Sequence, residues 1–183
     1  GTKSFSGCSY CNNRSFSPVF DQAKVSIQEQ LDKFVPRLRE KYPNAGILAY
    51  LQPYTNTHAP LEHLRGIIDP IIKHKEIAGL AIGTRPDCLP RDLLEYLAEL
   101  NGRTHLTVEL GLQTVHEQTA RYIRRGYPTQ VYFDAVQQLK QRNIEVVTHI
   151  ILGLPGETPQ MAAETTRQAV AAGTDGVKFH LLH

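Results

Sequence analysis

The sequence predicts an α/β fold: a partial (β/α)6, TIM-like barrel of parallel strands with its helices outside and its first strand upstream of Gly1. Three observations predict it. Apolar runs recur with a spacing of about 30 residues, the size of one strand-plus-helix unit. Helical patterns fill the gaps, so successive strands run parallel. The strand pattern over residues 105–113 alternates, with Leu106, Val108, Leu110 and Leu112 on one parity and Thr107, Glu109, Gly111 and Gln113 on the other. A doubly wound sheet is covered on both faces and reads apolar on both parities. One apolar and one polar parity fits a barrel with a ligand-filled lumen. Five strands, too few to close an eight-unit barrel, imply a wide mouth.

The elements follow in order. Residues 1–20 are polar and rich in Gly, Ser and Asn, and read as a loop. Residues 22–42 carry Val25, Ile27, Leu31, Phe34, Val35 and Leu38 at helical spacing, with Pro36 expected to kink or split the helix. Strands are predicted at 45–51, 77–82, 106–112, 144–152 and 177–182. Helices are predicted near 60–74, 90–101, 115–142 and 158–172. The third is expected in two pieces, broken at Gly126-Tyr127-Pro128. In the last strand Lys178 and His180 share one parity, against Val177, Phe179 and Leu181 on the other. Ligands of parallel α/β folds bind at the carboxyl ends of strands. Those ends carry residues 52–57, 83–88, 111–114, 153–158 and 183.

The chain has 183 residues, 41% of them hydrophobic, with 20 Lys+Arg against 18 Asp+Glu. That balance demands neither a nucleic-acid nor a membrane partner. No apolar run reaches the ~18 residues of a membrane span. Three Cys cannot build a disulfide scaffold, and a reducing, cytoplasmic setting is expected. The chain starts at Gly1 and ends in a strand. Residues 1–183 are therefore expected to be one domain cut at both ends.

Four constellations carry chemistry. Cys8-Ser9-Tyr10-Cys11 pairs two thiols three positions apart, which suits a zinc half-site, a redox disulfide or an iron–sulfur cluster. His149 leads through Ile150, Ile151 and Leu152 to Gly153-Leu154-Pro155-Gly156, with Thr158 a helix N-cap before Pro159. Gly153 allows close approach of a flat group to the backbone; a plain strand-to-helix turn explains the segment equally. Glu109 is a carboxylate on an inward parity, which is costly unless satisfied by a ribose diol, an ammonium group or Lys178. Arg124-Arg125-Gly126 suits a helix C-terminus, and an Arg there also suits a two-pronged bond to a ligand carboxylate. Cys88 reads as a small buried residue.

Taken in order, Cys8-Ser9-Tyr10-Cys11, Thr84-Arg85-Pro86-Asp87, Glu109-Leu110-Gly111-Leu112-Gln113, Arg125-Gly126-Tyr127 and Ile151-Leu152-Gly153-Leu154-Pro155-Gly156 resemble the radical S-adenosylmethionine (SAM) superfamily. The resemblance is to the branch of Elongator catalytic-subunit-like proteins and oxygen-independent coproporphyrinogen oxidases. Residues 51–57 and 84–90 resemble a bacterial group within it that has no assigned substrate. The resemblance implies a 4Fe–4S cluster held by three Cys, two of them Cys8 and Cys11, with the third upstream of Gly1. It implies that one iron takes the amino and carboxylate groups of SAM. An electron then cleaves the sulfonium bond, and the 5′-deoxyadenosyl radical takes a substrate hydrogen. By position, Tyr10, Ile151 and Gly153 would meet the adenine, Glu109 and Gln113 the ribose, and Arg125 the methionyl carboxylate. Gln52 to Thr55 occupy the strand end where many members hold Gly-Gly-Glu against the methionyl amine, and His149 stands where a Gly is usual. His180 projects into the same lumen, toward SAM or substrate. The resemblance further implies a flavodoxin or ferredoxin as electron donor. An RNA substrate comes from the Elongator-like branch, with little support in charge or aromatic content.

Two other classes fit the bare residues. One is a zinc-binding or scaffolding α/β domain without redox chemistry. The other is a barrel lyase or hydrolase with Glu109 and His149 as acid and base.

Overall fold

A computed structural model describes residues 25–52 and 54–182. The order is α1 (Ile27–Lys41), β1 (Ile47–Leu51), α2 (Leu61–Lys73), β2 (Ile77–Thr84), a 3-10 turn (Pro86–Cys88) and α3 (Arg91–Asn101). Then come β3 (His105–Gln113), α4 (Glu117–Tyr122), α5 (Thr129–Lys140), β4 (Glu145–Leu152), α6 (Pro159–Ala171) and β5 (Gly176–Leu181). All five strands are parallel and lie in the order β1-β2-β3-β4-β5. Every crossover therefore steps in the same direction. With the usual right hand, all helices fall on one face of the sheet. A doubly wound sheet needs a reversal of strand order, and there is none among the described strands. The result is a curled half-barrel with helices around it.

The helices end where the sequence places their signals. Ser26 caps α1 in a reciprocal capping box with Glu29. Thr158 caps α6, accepting from Met161 N, with Pro159 at the first turn. The predicted kink or split at Pro36 does not divide α1, which is assigned unbroken through that residue. Leu31 and Val35 pin it against Ile47, so packing holds a turn from which proline removes one ladder bond. The predicted break at Gly126-Tyr127-Pro128 is present and begins earlier, after Tyr122: Arg124 at φ 55 and Gly126 at φ 86 turn the chain between α4 and α5.

The core lies between sheet and helices. Leu106, Val108, Leu110 and Leu112 on β3 are all buried there against Leu80 and Ile82, Leu93 and Leu97, and Tyr132 and Val136. Burial of one such side chain stabilises by about 1.5–3 kcal/mol. Tyr132 keeps its hydroxyl satisfied on Thr148 at 2.7 Å. The expected apolar parity of β5 is only partly covered. Val177 packs on the core, whereas Phe179 and Leu181 are exposed on this edge strand. Among the described residues no helix is long and apolar enough to cross a membrane.

On β2 the inward parity carries only Gly79, Ala81 and Gly83. A Cβ at Gly79 would lie 2.7 Å from the His105 carbonyl oxygen. By contrast, a Cβ at Gly66, inside α2, would meet nothing within 4 Å. Gly79→Ala is expected to destabilise by about 1–3 kcal/mol through overpacking. Gly66→Ala is expected to stabilise by about 0.5–1 kcal/mol. Urea unfolding of the two variants should shift in opposite directions.

Candidate functional site

The inward parity of the sheet gathers a polar cluster. Glu109 on β3 accepts at Oε2 from three strands at once. Tyr50 on β1 donates its hydroxyl, His149 on β4 lies 2.6 Å away through Nε2, and Lys178 on β5 lies 3.3 Å away through Nζ. Lys178 also donates to the Tyr50 hydroxyl at 3.0 Å and sits over its ring. Burial alone would raise the Glu109 pKa. Hydrogen bonds from His149 and Tyr50 and the charges of His149 and Lys178 outweigh it and hold the carboxyl at about 2. Burial, and then the bond to Glu109, push the Tyr50 phenol up, so it stays protonated as a donor. None of the described groups bonds Oε1.

Above this layer lies the rim formed by the strand ends. At the end of β3 the register slips between Gly111 and Gln113, and Gln113 takes φ 62. This bulge folds the Gln113 side chain back over Gly111, where a Cβ would collide with Gln113 Nε2. The Tyr127 hydroxyl donates to Gly111 O at 2.5 Å and lies 3.2 Å from Gln113 Oε1. The Tyr127 ring is flanked by the guanidinium groups of Arg85 and Arg125, each 4.9 Å from its centroid.

Arg125 is 1% exposed. Its N–H groups donate to Tyr127 O at 3.0 Å, Leu112 O at 3.0 Å, Thr114 O at 2.7 Å and Thr129 Oγ1 at 2.9 Å, with Glu117 Oε1 at 3.4 Å. It ties the end of β3 to the α4–α5 connection. On the opposite side, Asn56 Nδ2 donates to Leu51 O at 2.8 Å and Gly83 O at 2.9 Å, stitching the loop after β1 to β2. Thr57 adds buried bonds to Thr84 Oγ1 at 2.5 Å and Cys88 O at 2.6 Å.

Residues 5–169 match the profile of the radical SAM superfamily, nine-tenths of the chain. The chain belongs to the radical SAM superfamily. It is 41% identical over 183 residues to the uncharacterized protein YtqA of Bacillus subtilis (strain 168), covering all of this chain and 57% of that protein. The chain thus spans a little over half the length of this relative. The structure of Methanocaldococcus infernus Elp3, with an N-terminal deletion, superposes with a TM-score of 0.73 at 19% identity, over 90% of this chain and 44% of that one. Escherichia coli coproporphyrinogen III oxidase, HemN, gives a TM-score of 0.56 at 17% identity, over 85% and 38%. Both likenesses speak for the fold alone.

In this radical SAM fold, the residues singled out in the sequence are distributed unevenly. Cys8, Tyr10 and Cys11 lie outside the described residues. Glu109, His149 and His180 meet in the lumen. Gln113 stands at the rim above them. Gly153 turns the β4–α6 connection at φ 82, and a Cβ there would meet nothing within 4 Å, so its outer side is open. Ile151 is buried in a small apolar cluster with Ile123 and Leu154. Gln52 is exposed and Thr55 half-buried in the loop after β1. Arg125 lies beneath the rim, occupied by backbone carbonyls. Sequence reasoning missed Tyr50 and Asn56. Tyr50 was accessible through its parity with Gln52; Asn56 lay within the strand-end segment 52–57 but was given no role of its own.

Two predictions follow from this geometry. Arg125→Met would remove a donor from the carbonyls of Leu112, Thr114 and Tyr127. It is expected to destabilise by more than about 2 kcal/mol in urea unfolding. Arg125→Lys should rescue little, since an ammonium cannot reproduce the fork. The second concerns pH. The folded Glu109 pKa, about 2, lies below its ordinary 4.5, so its contribution is complete above 4.5 and is lost as pH falls toward 2. Glu109→Gln should therefore flatten the acid-side fall of urea midpoints between those two values.

Proposed function

We propose that the chain is the catalytic core of a radical SAM enzyme, whose half-barrel seats SAM at the rim above Glu109 and a 4Fe–4S cluster beside it. What supports the reading is the coincidence of motif and geometry. The matched segments end at 84–87, 109–113, 125–127 and 151–156, which are the carboxyl ends of β2, β3 and β4 and the connection that Arg125 binds to them.

The residues fit an adenosyl group. Glu109 Oε1 is an acceptor for a ribose hydroxyl, and its low pKa keeps it ionised across the physiological range. Gln113, lodged at the rim beside the Tyr127 hydroxyl, offers its carboxamide to a ligand. Gly153 lets the flat adenine approach the backbone, and Ile151 offers an apolar edge beside it. Arg125 acts as a positioning residue in this reading, because it fixes the Leu112 and Thr114 carbonyls on either side of Gln113. Cys8 and Cys11, joined by a third Cys upstream of Gly1, would hold the cluster. When bound and reduced, the cluster supplies the electron that breaks the SAM sulfonium bond and opens hydrogen abstraction from substrate. Exclusion of water falls to the protein, which lines the lumen with groups already bonded to one another. A flavodoxin- or ferredoxin-type donor belongs to this reading; an RNA substrate rests only on the likeness to Elongator-type proteins.

Anaerobic iron–sulfide reconstitution of the full-length protein, with dithionite and SAM, should yield 5′-deoxyadenosine. A full cluster without that product would overturn the proposal. Cys8→Ala or Cys11→Ala should abolish the cluster's visible absorbance. Gln113→Ala should raise the KM for SAM by about tenfold, the loss of one good hydrogen bond.

A further inference from the structure

Two donors on β5 are not accounted for by the adenosyl site. Lys178 and His180 stand two positions apart on one strand. They therefore share the inward face, with their Cα atoms about 7 Å apart. Lys178 Nζ directs N–H groups to the Tyr50 hydroxyl at 3.0 Å and to Glu109 Oε2 at 3.3 Å, and an ammonium carries a third. Its side chain is 37% exposed, so a ligand can reach it. His180 leans on His149, with ring centroids 4.9 Å apart. Its Nε2 is buried and has no hydrogen-bond partner among the described residues. A buried ring nitrogen left unpaired is unfavourable, and a ligand atom would relieve it.

The local field has a sign. Burial lowers the His180 pKa, and repulsion from His149 and then Lys178 lowers it further; the opposing attraction of Glu109 is the smallest contribution. The Glu109 charge is spent on three donors facing it across the lumen. The Lys178 ammonium and the unpaired His180 ring nitrogen, side by side on one face of β5, are the groups an oxyanion would meet. We propose that Lys178 and His180 form an oxyanion subsite in the lumen, which takes a carboxylate or phosphate group of the molecule on which the enzyme acts. Lys178 supplies charge, and neutral His180, with its proton on Nε2, supplies a directed hydrogen bond. This rests on the radical SAM reading for its place beside the reacting centre, but not for its chemistry.

The test is calorimetric titration of the full-length protein with inorganic phosphate, which needs neither reductant nor turnover. Failure here is therefore distinguishable from failure of SAM cleavage. Phosphate should bind, and Lys178→Met should weaken it by about tenfold or more. Lys178→Arg should retain it, and His180→Phe should weaken it several-fold, all with unchanged circular dichroism. Should Lys178→Met misfold, the arginine and phenylalanine variants still decide. Absence of phosphate binding, or binding indifferent to His180→Phe and Lys178→Met, would overturn the proposal. Repeating the titration with saturating S-adenosylhomocysteine separates two sources of the oxyanion. Undiminished phosphate affinity supports a substrate group. Mutual exclusion would assign the subsite to the methionyl carboxylate and overturn the substrate assignment.

Discussion

A carboxylate on the inner wall of a parallel sheet governs how this half-barrel holds its shape. Glu109 cannot find donors on its own strand, because neighbours on its parity are two residues away and point the same way. It takes them from β1, β4 and β5 instead. Three strands that are far apart in sequence are thereby tied to β3 on the lumen side, while the apolar core ties the strands to the helices on the outer side. The two faces hold the sheet in complementary ways. The outer face stabilises through area removed from water, without direction. The inner one stabilises through a few directed bonds, which fix distances across the lumen.

The rim depends on a second directed network. Arg125 is a fully buried cation that spends its donors on carbonyls at the end of β3 and around Tyr127. Those carbonyls are released from the sheet because β3 bulges there and Gln113 turns left-handed. The bulge thus creates the acceptors that the guanidinium satisfies. The same bulge throws the Gln113 side chain back over the lumen, which is possible because residue 111 lacks a side chain. Gly111, Gln113, Arg125 and Tyr127 therefore form one mechanical unit, although they belong to separate sequence motifs.

Much of this was legible in the sequence, and the reason is periodicity. The 30-residue recurrence of apolar runs gave the parallel sheet. The polar parity of residues 107–113 chose a barrel over a doubly wound sheet, and the sequential strand order agrees. The same parity placed Glu109, His149, Lys178 and His180 inside. Less was legible where a contact crosses between elements that share no pattern. Tyr50 lies 59 positions from Glu109, and an aromatic on a strand reads as core until its partner is known. Arg125 read either as a cation at a helix C-terminus or as a two-pronged partner of a ligand carboxylate, and neither reading located the carbonyls it binds. Its burial follows from carbonyls that only the bulge exposes. Pro36 was expected to interrupt a helix that packing on Ile47 keeps whole.

The small side chains on one wall of the lumen also have a structural consequence. A closed eight-stranded barrel fills its interior with branched side chains. Here β2 contributes Gly79, Ala81 and Gly83 to the inner face, so the wall beside Glu109, where Gly83 is its register partner, carries almost no side-chain volume. These positions do not all serve the same end. At Gly79 the space is already taken by Leu48 and the His105 carbonyl, so glycine there is a packing requirement of the barrel floor. At Gly83 a Cβ would press on the carbonyls of Leu51 and Gln52 at 3.4 and 3.3 Å, so glycine there lets the loop after β1 lie close to β2. Asn56 then fastens that loop by bonding both Leu51 O and Gly83 O. The small residues thus shape the mouth by drawing the backbone inward at the rim, and leave the polar work of the lumen to the four strands around them.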